Sequence, residues 1–348
     1  MLKKNNTLAL CCILLLSGCF VAPKHVGPTI SQQALDQERA LQYQMFLEQK
    51  VDTHNRVQRI GYEVKLAGLE FCQKRGIELG LQVISQHKID QKYWSAANAL
   101  YGLANRPKLT SVYRQSPAYK AGLRPLDTIV AADGYALASG EQGGKRLFDY
   151  LQSGRDFYQI GVLRNGQRLD YTFKANQVCD YPVVLKYDDA VNAYADGERI
   201  IILSGMADFA RTDQELALVM AHELAHNTEG HVTAKKTNAL GGALVGAIFD
   251  GLLGTGTTLT RAGGQIASSS YSVDFEREAD YIGMYILARS GYPLEGAGKF
   301  WRRMAVKSQG KSIDFASTHP TSTQRMLAIE ETANEIENKR QNGFALRP

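Results

Sequence analysis

Apolar residues recur at steps of three and four along residues 32–71: Ala40, Leu41, Tyr43, Phe46, Leu47 and Val51, then Val57, Ile60, Gly61, Val64 and Ala67. That period predicts helix with one buried side. A second apolar run, Leu216, Leu218, Val219 and Met220, follows Thr212-x-x-Glu215. This is a capping-box pattern that starts a helix near Asp213, and Gly230 is its stop. A third helix is expected from residue 275, with Asp274 as cap, Ala279, Ile282 and Ile286 as the buried side, and Gly291 with Pro293 as the stop. Asn165-Gly166 is a strong turn signal, and it predicts a hairpin from residues 158–162 and 168–173.

The second helix contains His222-Glu223-Leu224-Ala225-His226. On a helix the two imidazoles fall one turn apart on one face, the spacing zinc needs from two ligands, and Glu223 is left to take a proton from a metal-activated water. A third ligand must come from elsewhere. In the pattern that places a further histidine six residues after the second, this chain has Val232, with Glu229 where a glycine is required. His231 is one place off and points elsewhere on the wheel, so it is read as structural. In the third helix Glu276 and Asp280 are i and i+4 neighbours; one carboxylate can bind the metal while the other orients a ligating histidine.

These motifs resemble the gluzincin metallopeptidases that include the CAAX prenyl endopeptidases, the HtpX heat-shock protease, the mitochondrial Oma protease and soluble periplasmic relatives. The likeness rests on His-Glu-x-x-His and the downstream Glu276-x-x-Ala279-Asp280. It extends to Asn192-Ala193-Tyr194-Ala195 with the stretch 200–206, similar to the family's hairpin before the active-site helix, and to Ser317-Thr318-His319-Pro320 with Arg325. The resemblance covers residues 183–330. It implies His222, His226 and Glu276 as ligands of one zinc ion per chain, Glu223 as general base and Asp280 as a supporting carboxylate. It also implies His319 and Arg325 facing the cleft, binding the substrate carbonyl or stabilising the oxyanion, with His319 able to close the fourth zinc position. An extended substrate is expected to add to the edge strand at Asn192, Ala193 and Tyr194.

The N-terminus adds a location. Lys3 and Lys4 precede apolar residues 8–16, and Leu16-Ser17-Gly18-Cys19 has the pattern of a bacterial lipobox. The segment is too short to span a bilayer and reads as a signal peptide cut before a lipid-bearing Cys19. Removing 18 of 348 residues leaves 330, and losing the two lysines lowers the net charge from +5 to +3. Phe20, in place of aspartate, lacks an inner-membrane retention signal, so a lipid anchor in the outer membrane facing the periplasm is expected if the cell is Gram-negative. The positive charge is spread along the chain with no lysine or arginine run, which gives no reason to invoke nucleic acid. Of five cysteines, Cys11 and Cys12 leave with the signal and Cys19 carries lipid. Cys72 and Cys179 remain, an even pair in an oxidising compartment, and are expected to be bonded.

Between them, residues 116–130, beginning Ser116-Pro117-Ala118 and continuing through Ala121-Gly122-Leu123, closely resemble the helix and following strand of a PDZ domain. The likeness implies a turn at Ala132-Asp133-Gly134, a short helix over residues 145–151 and the hairpin above. It also implies a module that binds extended peptides or an envelope partner. Leu79-Gly80-Leu81 and Tyr101-Gly102-Leu103 both fit its carboxylate loop. The expected class is α+β: a mostly helical metallopeptidase domain with a small β-sheet, and an inserted PDZ-like β-barrel. The expected divisions are signal peptide 1–18, lipidated linker 19–31, first peptidase helix 32–75, PDZ-like module 76–178, metallopeptidase 179–338 and tail 339–348. Glycine-rich residues 239–253 read equally as a flap beside the cleft or a buried helix, with contact to lipid also open. The function expected is zinc-dependent cleavage of cell-envelope proteins, and the rival is a lipoprotein chaperone or scaffold with a latent or structural zinc site.

Overall fold

The computed structural model describes residues 27–238, 271–308, 315, 319–320 and 322–348. The expected signal peptide, Cys19, the stretch 239–270 and Ser317-Thr318 lie outside them. Helix α1 (Gln32–Ala67) is the first element. Its residues Val57, Ile60 and Val64 are buried in the same core as helix α6 (Asp213–Thr228).

The polypeptide then leaves that core through strand β1 (Arg75–Glu78) and returns through β8 (Asn176–Cys179), which pair antiparallel. Cys72 and Cys179 are disulfide-bonded with Cα atoms 5.6 Å apart, so the two connections are fastened at one point. The excursion between them has a core of its own, including Leu109, Leu123, Ile129, Leu147, Ile160 and Val162. Its main sheet runs in the order β2 (Leu81–Ile84), β3 (Lys108–Val112), β4 (Thr128–Ala132), β6 (Phe157–Arg164), β7 (Gln167–Lys174), with β5 (Tyr135–Ala136) beside β4. The helices are α2 (Trp94–Tyr101), α3 (Pro117–Ala121) and α4 (Glu141–Leu151).

Local chemistry explains these choices. The Ser116 hydroxyl accepts from the Tyr119 amide, Pro117 takes the first helical position, and Gly122 ends α3 at φ +113°. Asn165 and Gly166 both have positive φ, as a two-residue turn joining twisted strands needs. Helix α4 begins at Glu141, a turn earlier than expected. The expected barrel is corrected to an open sheet: closure requires the outer strands to pair, and among the described residues β2 bonds only β3 while β7 bonds only β6.

Back in the first core, β9 (Val183–Lys186) pairs parallel with β11 (Ile200–Leu203), and β10 (Ala193–Ala195) pairs antiparallel with β11 and forms the edge. Residues 204–206 do not extend the hairpin; they open helix α5 (Ser204–Phe209). After α6 come α7 (Val273–Arg289), α8 (Ala297–Ser308) and α9 (Thr323–Gln341). Ser272, rather than Asp274, caps α7, because its hydroxyl accepts from the Phe275 amide.

If the bridge forms in the mature protein, denaturation without reductant exposes no free thiol from Cys72 or Cys179. Replacing either by serine is expected to lower stability by about 4 to 5 kcal/mol, the entropy of a closed loop of this length. Thiol titration and urea unfolding check both statements.

Candidate metal centre

Helix α6 is fixed at its start before it delivers any chemistry. The Thr212 hydroxyl accepts from the Glu215 amide at 3.2 Å, while Glu215 accepts from the Arg211 amide, one residue before the expected partner. Arg303 grips the same carboxylate at 2.7 and 2.8 Å. Arg56 of α1 donates to Asp213 and to the carbonyls of Ala207, Ala210 and Thr212, which locks the turn that feeds the helix.

Along α6 every residue from Leu216 to Asn227 is buried. Helix α7 can lie against it because Gly283 faces His222: a Cβ there would come within 3.1 Å of the His222 amide nitrogen. The close approach brings Glu276 to the two imidazoles, its oxygens 3.5 Å from His222 Nε2 and 3.3 Å from His226 Nε2. His319 arrives from ahead of α9, with Nδ1 2.9 Å from Glu276 and 3.3 Å from His222 Nε2. One donor atom from each of His222, His226, Glu276 and His319 lies within 4.8 Å of the others, and all four residues are buried. Two imidazoles, a carboxylate and a third imidazole are a donor set suited to a borderline metal ion such as zinc.

Glu223 has no solvent exposure. Its Oε2 accepts from the Ala195 amide of β10 at 2.8 Å, whereas among the described residues Oε1 is buried without a hydrogen-bond partner, 3.5 Å from an equally unpartnered His319 Nε2. The remaining expected site residues take supporting places. Asp280 Oδ1 is 3.1 Å from His222 Nδ1, on the side of the ring away from the cluster. Arg325 differs from its expected place facing the cleft. Its guanidinium forks onto Asp280 at 2.7 and 2.9 Å, lies 2.6 Å from Glu276 and donates to the Pro320 carbonyl. At the edge strand, Asn192 O accepts from Leu203 and Asp196 N donates to Arg199, so both face β11. By alternation the outward groups belong to Ala193 and Ala195, not to Asn192 and Tyr194.

Sequence reasoning read His231 as structural and pointing elsewhere, whereas it lies with Nδ1 3.0 Å from His226 Nδ1 and Nε2 3.1 Å from Glu278. It passed over Tyr271, which stacks on His226 with ring centres 3.9 Å apart.

Electrostatics follow from this packing. Burial opposes a charge on His222, but Asp280 and Glu276 outweigh it and push the imidazole up to about 9 in the metal-free protein. His226 is driven well below its ordinary value, first by burial. Burial would raise the Glu276 carboxyl, yet the surrounding histidines hold it well below the usual carboxylate range.

Residues 168–333 match the description of peptidase family M48, a little under half of the chain. Among curated proteins it is similar to the mitochondrial metalloendopeptidase OMA1 of Schizosaccharomyces pombe, 32% identical over 168 residues, covering 44% of this chain and 47% of that protein. The beta-barrel assembly-enhancing protease of Escherichia coli strain K12 is 28% identical over 163 residues, covering 43% of this chain and 34% of that protein. The alignments thus span about half the length of these relatives or less. The crystal structure of the HtrA3 PDZ domain bound to a phage-derived ligand matches with a TM-score of 0.22 and 16% identity, covering 30% of this chain and 88% of that one.

Two outcomes are expected. Metal binding must displace the proton that His222 holds up to about pH 9, so affinity for a divalent ion rises with pH, by at most about tenfold per unit, and levels off above that value. Chelator competition at several pH values measures this. Arg325→Met leaves two buried carboxylates without their cation and is expected to cost about 3–5 kcal/mol in urea unfolding of the metal-free protein.

Proposed function

We propose that the protein is a zinc-dependent endopeptidase, held by lipid on Cys19 at the outer membrane and cleaving misfolded or unassembled cell-envelope proteins. The observation that carries the catalytic reading is Glu223, a carboxylate with one oxygen tied to β10 and the other, among the described residues, unpartnered beside a His222–His226–Glu276 donor set. A purely structural site needs no such base.

In this reading the substrate chain adds beside β10 at Ala193, displacing Asn192 Oδ1 from the Ala193 amide that donates to it at 2.9 Å. The zinc ion, one per chain and held by His222, His226 and Glu276, supplies Lewis acidity toward the attacking water and the scissile carbonyl. Glu223 Oε2 stays oriented by the Ala195 amide while Oε1 accepts the water proton and passes it to the leaving amine. Asp280 orients His222 through Nδ1, and Arg325 neutralises the carboxylates beneath the site. His319, the fourth residue of the donor cluster, would help hold the ion in the resting protein and would have to give way for substrate to enter.

The segment 76–178 we read as a PDZ-like module inserted between the first peptidase helix, 32–75, and the remainder, 179–338. Of the two candidate carboxylate loops, Leu79-Gly80-Leu81 is favoured because it leads into β2, the open edge strand. That loop and edge border a cleft of about 580 Å³ with Phe148 and Leu151 of α4. Tyr101-Gly102-Leu103 instead ends α2, with Gly102 in the left-handed conformation at its C-cap. Such a groove suits an extended peptide of a substrate or envelope partner.

A second reading is supported by the same geometry: four protein donors are what a closed structural site has, and a chaperone or scaffold would then work through the PDZ-like module. The purified protein should degrade an unfolded model substrate such as casein and stop on chelation. Glu223→Gln should retain zinc and lose at least about 100-fold in cleavage rate. Substrate binding without any cleavage by the wild type would favour the chaperone, and full activity in Glu223→Gln would remove the assigned base.

A further inference from the structure

Helical-wheel geometry puts His231 off the face that carries His222 and His226, and a continuous helix would keep it there. The helix does not continue. Helix α6 ends at Thr228, Gly230 takes φ +71°, and residues 231–238 start a new helical segment. A left-handed residue of this kind redirects the chain at little cost only where there is no side chain. Its effect is to bring the His231 ring beneath His226.

There His231 is 1% exposed, with its ring stacked on Phe275 at a centroid distance of 4.5 Å. Its Nδ1 faces His226 Nδ1 at 3.0 Å, and its Nε2 faces Glu278 Oε2 at 3.1 Å. The chemistry allows one proton arrangement that serves a metal. His226 directs Nε2 toward Glu276 and the other donor atoms, so Nε2 must carry a lone pair and Nδ1 the proton. The proton on His226 Nδ1 then has His231 Nδ1 as its acceptor. His231 is thereby fixed as the tautomer protonated on Nε2, which donates to Glu278.

Resting on the metal-centre reading above, we propose that His231 is a positioning residue: it selects the metal-binding tautomer of His226 and fixes the plane of that ring, while Glu278 selects the tautomer of His231. His222 has Asp280 at the corresponding nitrogen. The pair of motif histidines is therefore oriented from behind by two different groups, an anion for one and a neutral ring for the other. Neither supporting group touches substrate, and His231 enters the chemistry only through His226.

The acceptor role can be separated from simple space-filling by comparing His231→Asn, His231→Gln and His231→Ala. An asparagine amide oxygen can stand where Nδ1 stands, whereas a glutamine amide reaches the Nε2 position. Zinc affinity, measured by competition with a chromogenic chelator, is expected to fall about 10–100-fold for the alanine and glutamine variants and to stay within about threefold of wild type for asparagine. Far-UV circular dichroism and melting of the metal-free proteins report folding, and if the alanine variant does not fold, the asparagine–glutamine comparison carries the test. Long-range 1H–15N spectra of the zinc-loaded wild type should show His226 protonated on Nδ1 and His231 on Nε2. Wild-type affinity in His231→Ala, asparagine as weak as glutamine, or the opposite tautomers would overturn the proposal. Absence of zinc binding by the wild type would instead overturn the metal-centre reading.

Discussion

A carboxylate taken wholly out of water costs several kcal/mol unless positive charge or hydrogen-bond donors meet it, and Glu276 is wholly out of water. The arrangement of α6, α7 and the start of α9 follows from meeting that cost. Three imidazoles lie against its oxygens, and Arg325 lies at 2.6 Å. Getting Glu276 there requires α7 to lie almost backbone to backbone with α6, which Gly283 permits by offering no Cβ toward His222. The same approach sets Asp280, one turn further on, behind His222. The donor cluster is thus a consequence of how closely two helices pack, and the packing is tolerable because the cluster exists.

Helix α1 connects this centre with the rest of the chain. On one side Arg56 and Arg59 hold Asp213 at the first turn of α6, where a negative side chain also suits the helix dipole. On another, His54 meets Gln82 of β2, Lys65 pairs with Glu78 of β1, and the Tyr62 hydroxyl accepts from Asn176 of β8. The disulfide fastens the entry and exit of the inserted segment just beyond the end of α1. The helix that orients α6 therefore also holds the segment between β1 and β8, and the cleft beside β2 has His54, Gln58 and Lys65 of α1 among its lining.

What was legible in the sequence was local. His222, Glu223 and His226 lie within one helical run, and Glu276 with Asp280 within another, so spacing alone put each set on one face. Thr212, Ser116, Gly122 and Asn165-Gly166 act through their own backbone and could be read the same way. What escaped depended on partners far along the chain or on a break in periodicity. Ser272 outcompeted Asp274 as a cap because its hydroxyl reaches the Phe275 amide. Arg325 was expected to face the cleft, and its place beneath the site is set by Asp280 and Glu276, 45 and 49 residues earlier in the numbering. His231 was discounted by a wheel that assumed one continuous helix, although Gly230, read as the stop, was itself the signal that the wheel no longer applied. Helix α3 and the β6–β7 hairpin were legible from their own capping and turn residues, but an open or closed sheet depends on whether β2 and β7 meet, which strand patterns do not encode.

The difference between the groups behind His222 and His226 has a physical reason. Among the described residues around the site the fully or nearly fully buried anions are Glu223, Glu276 and Asp280, and the buried cation is Arg325. With the histidines neutral, three negative charges and one positive leave two negative charges, which one divalent ion balances. A carboxylate behind His226, matching Asp280 behind His222, would add a third uncompensated charge in a region closed to water, where an unpaired anion is most costly. A neutral imidazole accepts the His226 proton without adding charge, and the anion that fixes its own tautomer, Glu278, sits with its side chain about half exposed at 54%, where solvent screens it. The relay moves the negative charge outward by the length of one ring and still holds His226 in place.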